Sequence, residues 1–347
     1  MRIAQVAPLE ESVPPRLYGG TERIVSYLTE ELVRLGHEVT LFASGDSVTK
    51  ARLVAPCPRS LRLDGNCQEP LAHHILLLDY VYRYLREFDI IHFHLDYIHL
   101  PLFRRSSAMF LTTLHGRLDK RDIYQLYKEL GGSPFVSISN GQREPLPWLN
   151  WVGTVYHGLP EELYTPRFER GDYLAFLGRI SPHKRPDRAI RIAEMAGMPL
   201  KMAAKIDDKD YHEAVVRPLL NSRYVEFVGE VNEKEKNELL GSAYALLFPI
   251  DWPEPFGLVM IEALACATPV IAWPGGSVPE VIQDGVNGFI VNNLRAATVA
   301  VENIKTVSRM RCRRTFEERF SAKRMTQDYV KIYQQLLAER EYLPRAM

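Results

Sequence analysis

Two glutamates with seven residues between them, Glu254 and Glu262, are the side chains of this chain best spaced for chemistry. Pro253 and Pro255 hold the first of them in extended backbone. From Gly257 to Ala265 the chain is rich in Leu, Met, Glu and Ala, which read as helix. The amides of that first turn have no carbonyl within the helix and lie at the positive end of its dipole, which makes an anion site. Glu262 lies roughly 7 Å further along, at about 1.5 Å per residue. This order suits a ligand with hydroxyls at Glu254, a diphosphate at the amides of Gly257, Leu258 and Val259, and a ribose at Glu262. It suits equally a core helix, since Met260, Ile261, Ala263, Leu264 and Ala265 leave it apolar nearly all round and one Glu can pair locally.

Other residues offer complementary chemistry. Arg179 and Lys184 stand in GRISPHKRPD, at a strand end and a helix start, where two cations clamp a diphosphate or simply face solvent. Gly19 and Gly20 precede Thr21, a candidate cap for a helix reaching Leu35, and permit close backbone approach to a phosphate or sugar, or only a tight turn. Three histidines close two apolar runs: His92 and His94 in DIIHFHL, and His115 after Ala108–Leu114. His92 and His94 share a strand face, a metal-ligand spacing that lacks a third ligand nearby. Asp207, Asp208 and Asp210 are acidic enough for a metal but read better as a helix start.

Positioning these residues requires a repeated strand–helix rhythm. Apolar runs at 2–8, 37–43, 89–95, 108–114, 135–139 and 152–156 alternate with helical patterns at 21–35, 70–87 and 119–130. A second series begins at 173–178 and continues at 200–204, 225–228, 245–249, 269–272 and 288–291. Such alternation predicts an α/β fold with two doubly wound, Rossmann-like parallel sheets, and places ligand groups at the carboxyl ends of strands. The expected division is 1–165, 170–320 and a final helical segment 321–347, with 163–172 as linker.

The run Glu254-Pro255-Phe256-Gly257-Leu258 through Glu262, the surrounding EPFGLVMIEALACATPVIA and the later GGSVPEVIQDGVNGFIV resemble the signature of glycosyltransferase family 4. That resemblance implies the GT-B fold, with two Rossmann-like domains facing a cleft and the last helix crossing back to the N-terminal domain. It implies transfer of a hexose from a nucleotide diphosphate sugar, with UDP-glucose the expected donor, to an acceptor hydroxyl, with retention and without metal or cofactor. Glu254 and His115 would then meet the reacting sugar, and Arg179 and Lys184 the pyrophosphate. Gly19 and Gly20 would lie under the donor phosphates. Ile206, Glu230 and Val231 would border the base, Phe256 through Val259 would line the donor site, and Glu262 would hold the ribose. The acceptor, whether small molecule, glycan or lipid-linked, is not specified by the loops at 10–18, 52–68 and 117–130.

Composition narrows the classes further. The 347 residues favour two domains, and 46% hydrophobic with 25% charged residues is ordinary for a globular chain. Lys plus Arg and Asp plus Glu both number 43, so no nucleic-acid partner or strongly anionic membrane surface is indicated. Cys57, Cys67, Cys266 and Cys312 form no metal motif; Cys57 and Cys67 could pair, but the expectation is a cytoplasmic chain with reduced thiols. No apolar run approaches a membrane span. A glycoside hydrolase using Glu254 and Glu262 would need the carboxyls about 5 Å apart. A silent nucleotide-sugar binder or an epimerase would keep Arg179, Lys184 and Glu262. An NAD enzyme is disfavoured because GxGxxG is missing.

Overall fold

Short Val-, Ile- and Leu-rich runs punctuated by Gly and Pro build two parallel sheets in the computed structural model, which describes residues 1–16 and 19–342, with 340–342 as backbone only. The chain divides into a first unit of residues 1–139, 143–158 and 322 onward, and a second of 140–142 and 159–321.

The first unit holds β1 (Arg2–Val6), β2 (Glu38–Phe42), β3 (Arg52–Val54), β4 (Ile90–Phe93), β5 (Phe110–Thr113), β6 (Phe135–Ser137) and β7 (Trp151–Thr154). Their spatial order is β3-β2-β1-β4-β5-β6-β7. Every pairing is parallel. Alternation along the strands sends neighbours to opposite faces. Ala4, Val6, Phe42, Ile91 and Phe93 enter one core with Leu77 and Val81. Leu41 and Ala43 enter another with Val25. The helix Ala322–Tyr342 belongs to this unit and packs against the helix Gly20–Arg34. Its Tyr329 and Tyr333 are fully buried. The described part of this helix groups with the N-terminal strands from Ala322 onward, whereas Ser321 falls in the second unit; residues 343–347 lie outside those described.

The second unit holds β8 (Leu174–Ile180), β9 (Leu200–Ile206), β10 (Val225–Gly229), β11 (Ala245–Phe248), β12 (Val270–Ala272) and β13 (Gly288–Ile290), ordered β10-β9-β8-β11-β12-β13 and all parallel. Between β11 and β12 runs the expected helix, Leu258–Ala265, buried from Met260 onward.

Two local expectations change. Thr21 does not cap its helix: Gly19 is the N-cap residue, no side chain caps it, and the helix starts at Gly20. The stretch 163–172 is not a loose linker but part of the second unit. The Tyr164 hydroxyl donates to Glu233 at 2.7 Å and the Thr165 amide to Asn237 at 3.1 Å. The acidic run at 207–210 does start a helix, with Asp208 accepting the Tyr211 amide at 2.8 Å.

Candidate active site

The segment before the helix Leu258–Ala265 is shaped by glycine at two points. Gly257, the N-cap residue, has φ +78°, and a Cβ there would lie 2.8 Å from Met260 Cε and 3.3 Å from Glu254 Cγ. Gly276 has φ +55°, and a Cβ there would lie 2.1 Å from the Glu254 carbonyl oxygen. The Ser277 amide donates to that same carbonyl at 2.9 Å, and the Ser277 hydroxyl donates to the Phe256 carbonyl at 2.7 Å. The Gly275–Ser277 loop thus buttresses the backbone of Glu254, a role that its sequence position twenty residues downstream did not disclose.

Glu254 is buried yet ionically satisfied. Lys184 Nζ donates to Oε2, and Trp252 Nε1 donates to the same oxygen at 3.0 Å. Lys184 also sits 5.0 Å from the centre of the Trp252 ring and 5.3 Å from that of Phe248, within cation–π range. A buried carboxylate needs this kind of partner set to remain charged. Trp252 is therefore part of the Glu254 cluster.

The two expected diphosphate cations have different partners. Arg179, near the end of β8, pairs with Asp207 at 2.8 Å. Lys184 follows the turn after β8 and pairs with Glu254. The adjacent Arg185, in a left-handed conformation, binds Asp187 and Asp251, each at 2.8 Å. These contacts hold the Arg185 guanidinium above its ordinary range, mainly through the hydrogen bonds it donates to Asp187. They also hold the Asp187 carboxyl low against the opposing cost of burial.

Glu262 lies in a separate cluster. Lys236 Nζ donates to it at 2.9 Å and to Glu233 at 3.0 Å. Lys236 comes from the helix Glu233–Gly241, which Asn232 and Glu235 open with a full capping box. Sequence reading missed Lys236, because a helix lysine opposite a residue 26 positions away leaves no local signal. Glu254 and Glu262 thus each pair with their own lysine, whereas a glycosidase pair needs one of its two carboxyls protonated as the general acid.

The remaining expected donor positions fall as follows. Leu258 and Val259 form the partly exposed first turn of the helix, and Phe256 is buried against Phe320 with ring centres 6.2 Å apart. Ile206 ends β9 opposite Ile180 and is 40% exposed, available to a planar ligand. Glu230 and Val231 follow β10 just after Gly229, whose φ is +85°. Gly19, with φ +151°, is packed so tightly that a Cβ would sit 2.8 Å from that of Pro15, while Gly20 is exposed at the helix start.

His115 lies in the first unit, just beyond β5, among other histidines. Its Nε2 is 2.8 Å from His94 Nδ1, and its ring stacks on His157 with centres 5.3 Å apart. Burial drives the His115 imidazole down to about 3, and takes His92, His94 and His157 well below their ordinary range, so all four are neutral at pH 7. His92 is taken up structurally: Nδ1 meets Tyr333 and Nε2 meets Thr113, both at 2.7 Å. Among the described residues, no three His, Cys, Asp or Glu side chains group as a metal site would.

The chain is similar to known glycosyltransferases. Residues 18–146 match the family model described as Glycosyltransferase Family 4, and residues 165–323 match that of the Glycosyl transferases group 1. The D-inositol 3-phosphate glycosyltransferase of Mycobacterium sp. (strain JLS) is 28% identical over 194 residues, 50% of this chain and 42% of that protein. The chain thus spans less than half the length of the curated relatives it first matches. Among solved structures, AviGT4, a glycosyltransferase involved in avilamycin A biosynthesis, aligns over 97% of this chain and 98% of its own, at 23% identity and TM-score 0.73. Anabaena HepE in complex with UDP and glucose aligns over 96% and 100% at 18% identity, TM-score 0.69. These likenesses show a common fold.

Proposed function

This chain belongs to glycosyltransferase family 4, and from that premise we propose that it moves a hexose from a UDP-sugar to an acceptor hydroxyl, with retention of configuration and without a metal. The observation that carries the reading is the buried Lys184–Glu254–Trp252 cluster immediately before the helix that opens at Gly257. It sets a carboxylate for sugar hydroxyls and a cation for phosphate beside helix-terminal amides.

In this reading Arg179, Lys184 and the amides of Leu258 and Val259 take the diphosphate. The carboxylates that now neutralise the two cations, Asp207 and Glu254, stand in the way that phosphate oxygens would. Glu262 and Lys236 hold the ribose, with Ile206, Glu230 and Val231 along the base. Glu254 and His115 orient the sugar. The bond from the anomeric carbon to the diphosphate breaks and its electron pair stays on the phosphate oxygen. The acceptor oxygen bonds to the same face, and its proton passes to the departing phosphate, giving UDP and the glycoside. Positive charge fixed before the reaction lowers the barrier to leaving.

UDP is favoured because HepE, of the same fold, has been seen with UDP and glucose and with UDP-glucose. No helix among the described residues is long and apolar enough to cross a membrane, and the four cysteines are free thiols, which fits action in the cytoplasm. Calorimetry with UDP in EDTA tests the ribose assignment. Glu262→Ala should weaken binding roughly tenfold, as loss of a charged hydrogen bond does. Unchanged affinity in a folded Glu262→Ala variant would remove Glu262 from the donor site.

A further inference from the structure

His115 ends a chain of hydrogen bonds that runs entirely within the first unit, and the orientation of the Gln5 side-chain amide sets its polarity. Gln5 on β1 turns its amide nitrogen to the Tyr333 hydroxyl at 3.2 Å and its carbonyl oxygen to His94 Nε2 at 2.9 Å. A carbonyl oxygen only accepts, so His94 carries its proton on Nε2. A neutral imidazole has one N–H, so His94 Nδ1 is an acceptor, and the 2.8 Å contact from His115 Nε2 must be donated by His115. The single proton of His115 is then spent, and Nδ1 is left with a lone pair. That Nδ1 atom is buried and has no hydrogen-bond partner among the described residues. The same polarity is satisfied at the other end. Tyr333, having accepted from Gln5, donates to His92 Nδ1. His92 Nε2 then donates to Thr113, whose hydroxyl lies 3.0 Å from that of Tyr329.

We propose that Gln5 and His94 are positioning residues that lock His115 in its Nε2–H tautomer, so that Nδ1 meets the transferring sugar as a hydrogen-bond acceptor and selects a hydroxyl over a carboxylate. The selection rests on the transferase reading given above; the lock does not. A hydroxyl donates into the lone pair and completes the one unsatisfied atom of the chain. A hexuronate carboxylate offers only further lone pairs, and the buried ring resists the protonation that would accommodate it. The supports on Gln5 come from the C-terminal helix, through Tyr333, so this helix sets the proton position on a ring in the strand-end cluster.

The test begins with the whole protein labelled with ¹⁵N-histidine, without ligand. His115, assigned by comparison with His115→Ala, should show a pyridine-type Nδ1 and a pyrrole-type Nε2. A protonated Nδ1 would overturn the lock outright. In folded Gln5→Leu the two tautomers should mix, whereas Gln5→Glu, which keeps an acceptor facing His94, should restore the wild-type pattern; an unchanged pattern in Gln5→Leu would also overturn it. If Gln5→Leu fails to fold, the wild-type spectrum alone decides. Transfer assays with UDP-glucose and UDP-glucuronic acid then read the selection. Gln5→Leu should lose roughly tenfold in kcat/KM for UDP-glucose, the scale of one hydrogen bond, with UDP affinity unchanged. Equal use of both sugars by the wild type would refute the selection. The expected tautomer with transfer from neither sugar would instead count against the transferase reading and remove the basis for selection.

Discussion

In the first unit Gln5, His92, His94, Thr113, His115, Tyr329 and Tyr333 bury their polar atoms against one another without a formal charge. In the second, Lys184 with Glu254, Lys236 with Glu262, and Arg185 with Asp187 bury charge beside opposite charge. Both follow one rhythm of strand and helix, so the difference lies in the residues placed at strand ends. Neutral rings fix the direction of hydrogen bonds and can tell a hydroxyl from an acceptor. Paired cations are suited to a multiply charged ligand, which can replace a carboxylate partner without leaving a bare charge.

Acid should separate the two units by the largest margin. His99 and His115 are each held down to about 3 by burial, and burial also takes His92, His94 and His157 well below their ordinary range. A depressed histidine stabilises fully above its unfolded value near 6.5, and that stability is lost as pH falls toward the folded value. By about pH 5 each of these histidines should cost the first unit about 2 kcal/mol. Glu22, raised to about 7 by burial, works the other way, since its contribution is present at low pH and lost as pH rises, and it offsets roughly one histidine. In the second unit the lowered carboxyl of Asp187 loses stability only as pH falls below its ordinary value near 3.8. Hydrogen exchange followed by mass spectrometry should therefore show β1, β4 and β5 losing protection near pH 5 while β8 and β11 keep theirs. Simultaneous loss in both units would erase the contrast.

Breaking a charge pair should come next in size. Among the described residues Lys184→Met leaves the buried Glu254 carboxylate with the Trp252 indole, a cost of about 3 kcal/mol on the scale for orphaned buried ions. Adding Glu254→Gln to Lys184→Met should recover part of that loss in urea denaturation. An additive double variant would mean that the two residues do not stabilise each other.

The smallest effect concerns how helices begin in the two units. Asn232 accepts the amides of Lys234 and Glu235 at 3.0 and 3.1 Å, so Asn232→Ala should cost about 1 kcal/mol. Thr21 makes no cap, and Thr21→Ala should stay within about 0.5 kcal/mol. Equal costs in thermal melts would show that the Gly20–Arg34 helix relies on Thr21 after all.

The strand–helix order was readable because each buried strand is a short run such as Ile90–Phe93 or Ala245–Phe248, bounded by Gly, Pro or polar residues. The helix at Gly257 was readable because proline cannot enter it and glycine must open it. Partners brought in by tertiary packing were not. Nothing near Glu262 announces Lys236, and nothing near Glu254 announces Gly276 or Ser277. The 163–172 stretch looked like a linker because Pro166 and mixed charge suggest one, yet Tyr164 and Arg167 hold it to the helix Glu233–Gly241. The family resemblance singles out His115 among three strand-end histidines, but the direction of its proton depends on Gln5 and Tyr333, 110 residues before it and 218 after it.

The central claim is that the charge-paired unit binds a nucleotide diphosphate sugar without metal, and thermal melting in EDTA with UDP, GDP, ADP, NAD⁺ and their available sugar conjugates tests it most directly. A ligand that binds only the folded chain raises its melting temperature by mass action. The account predicts a clear rise with UDP and UDP-glucose that is abolished in Lys184→Met. A flat response to every nucleotide, with a rise on adding free oligosaccharide, would contradict it.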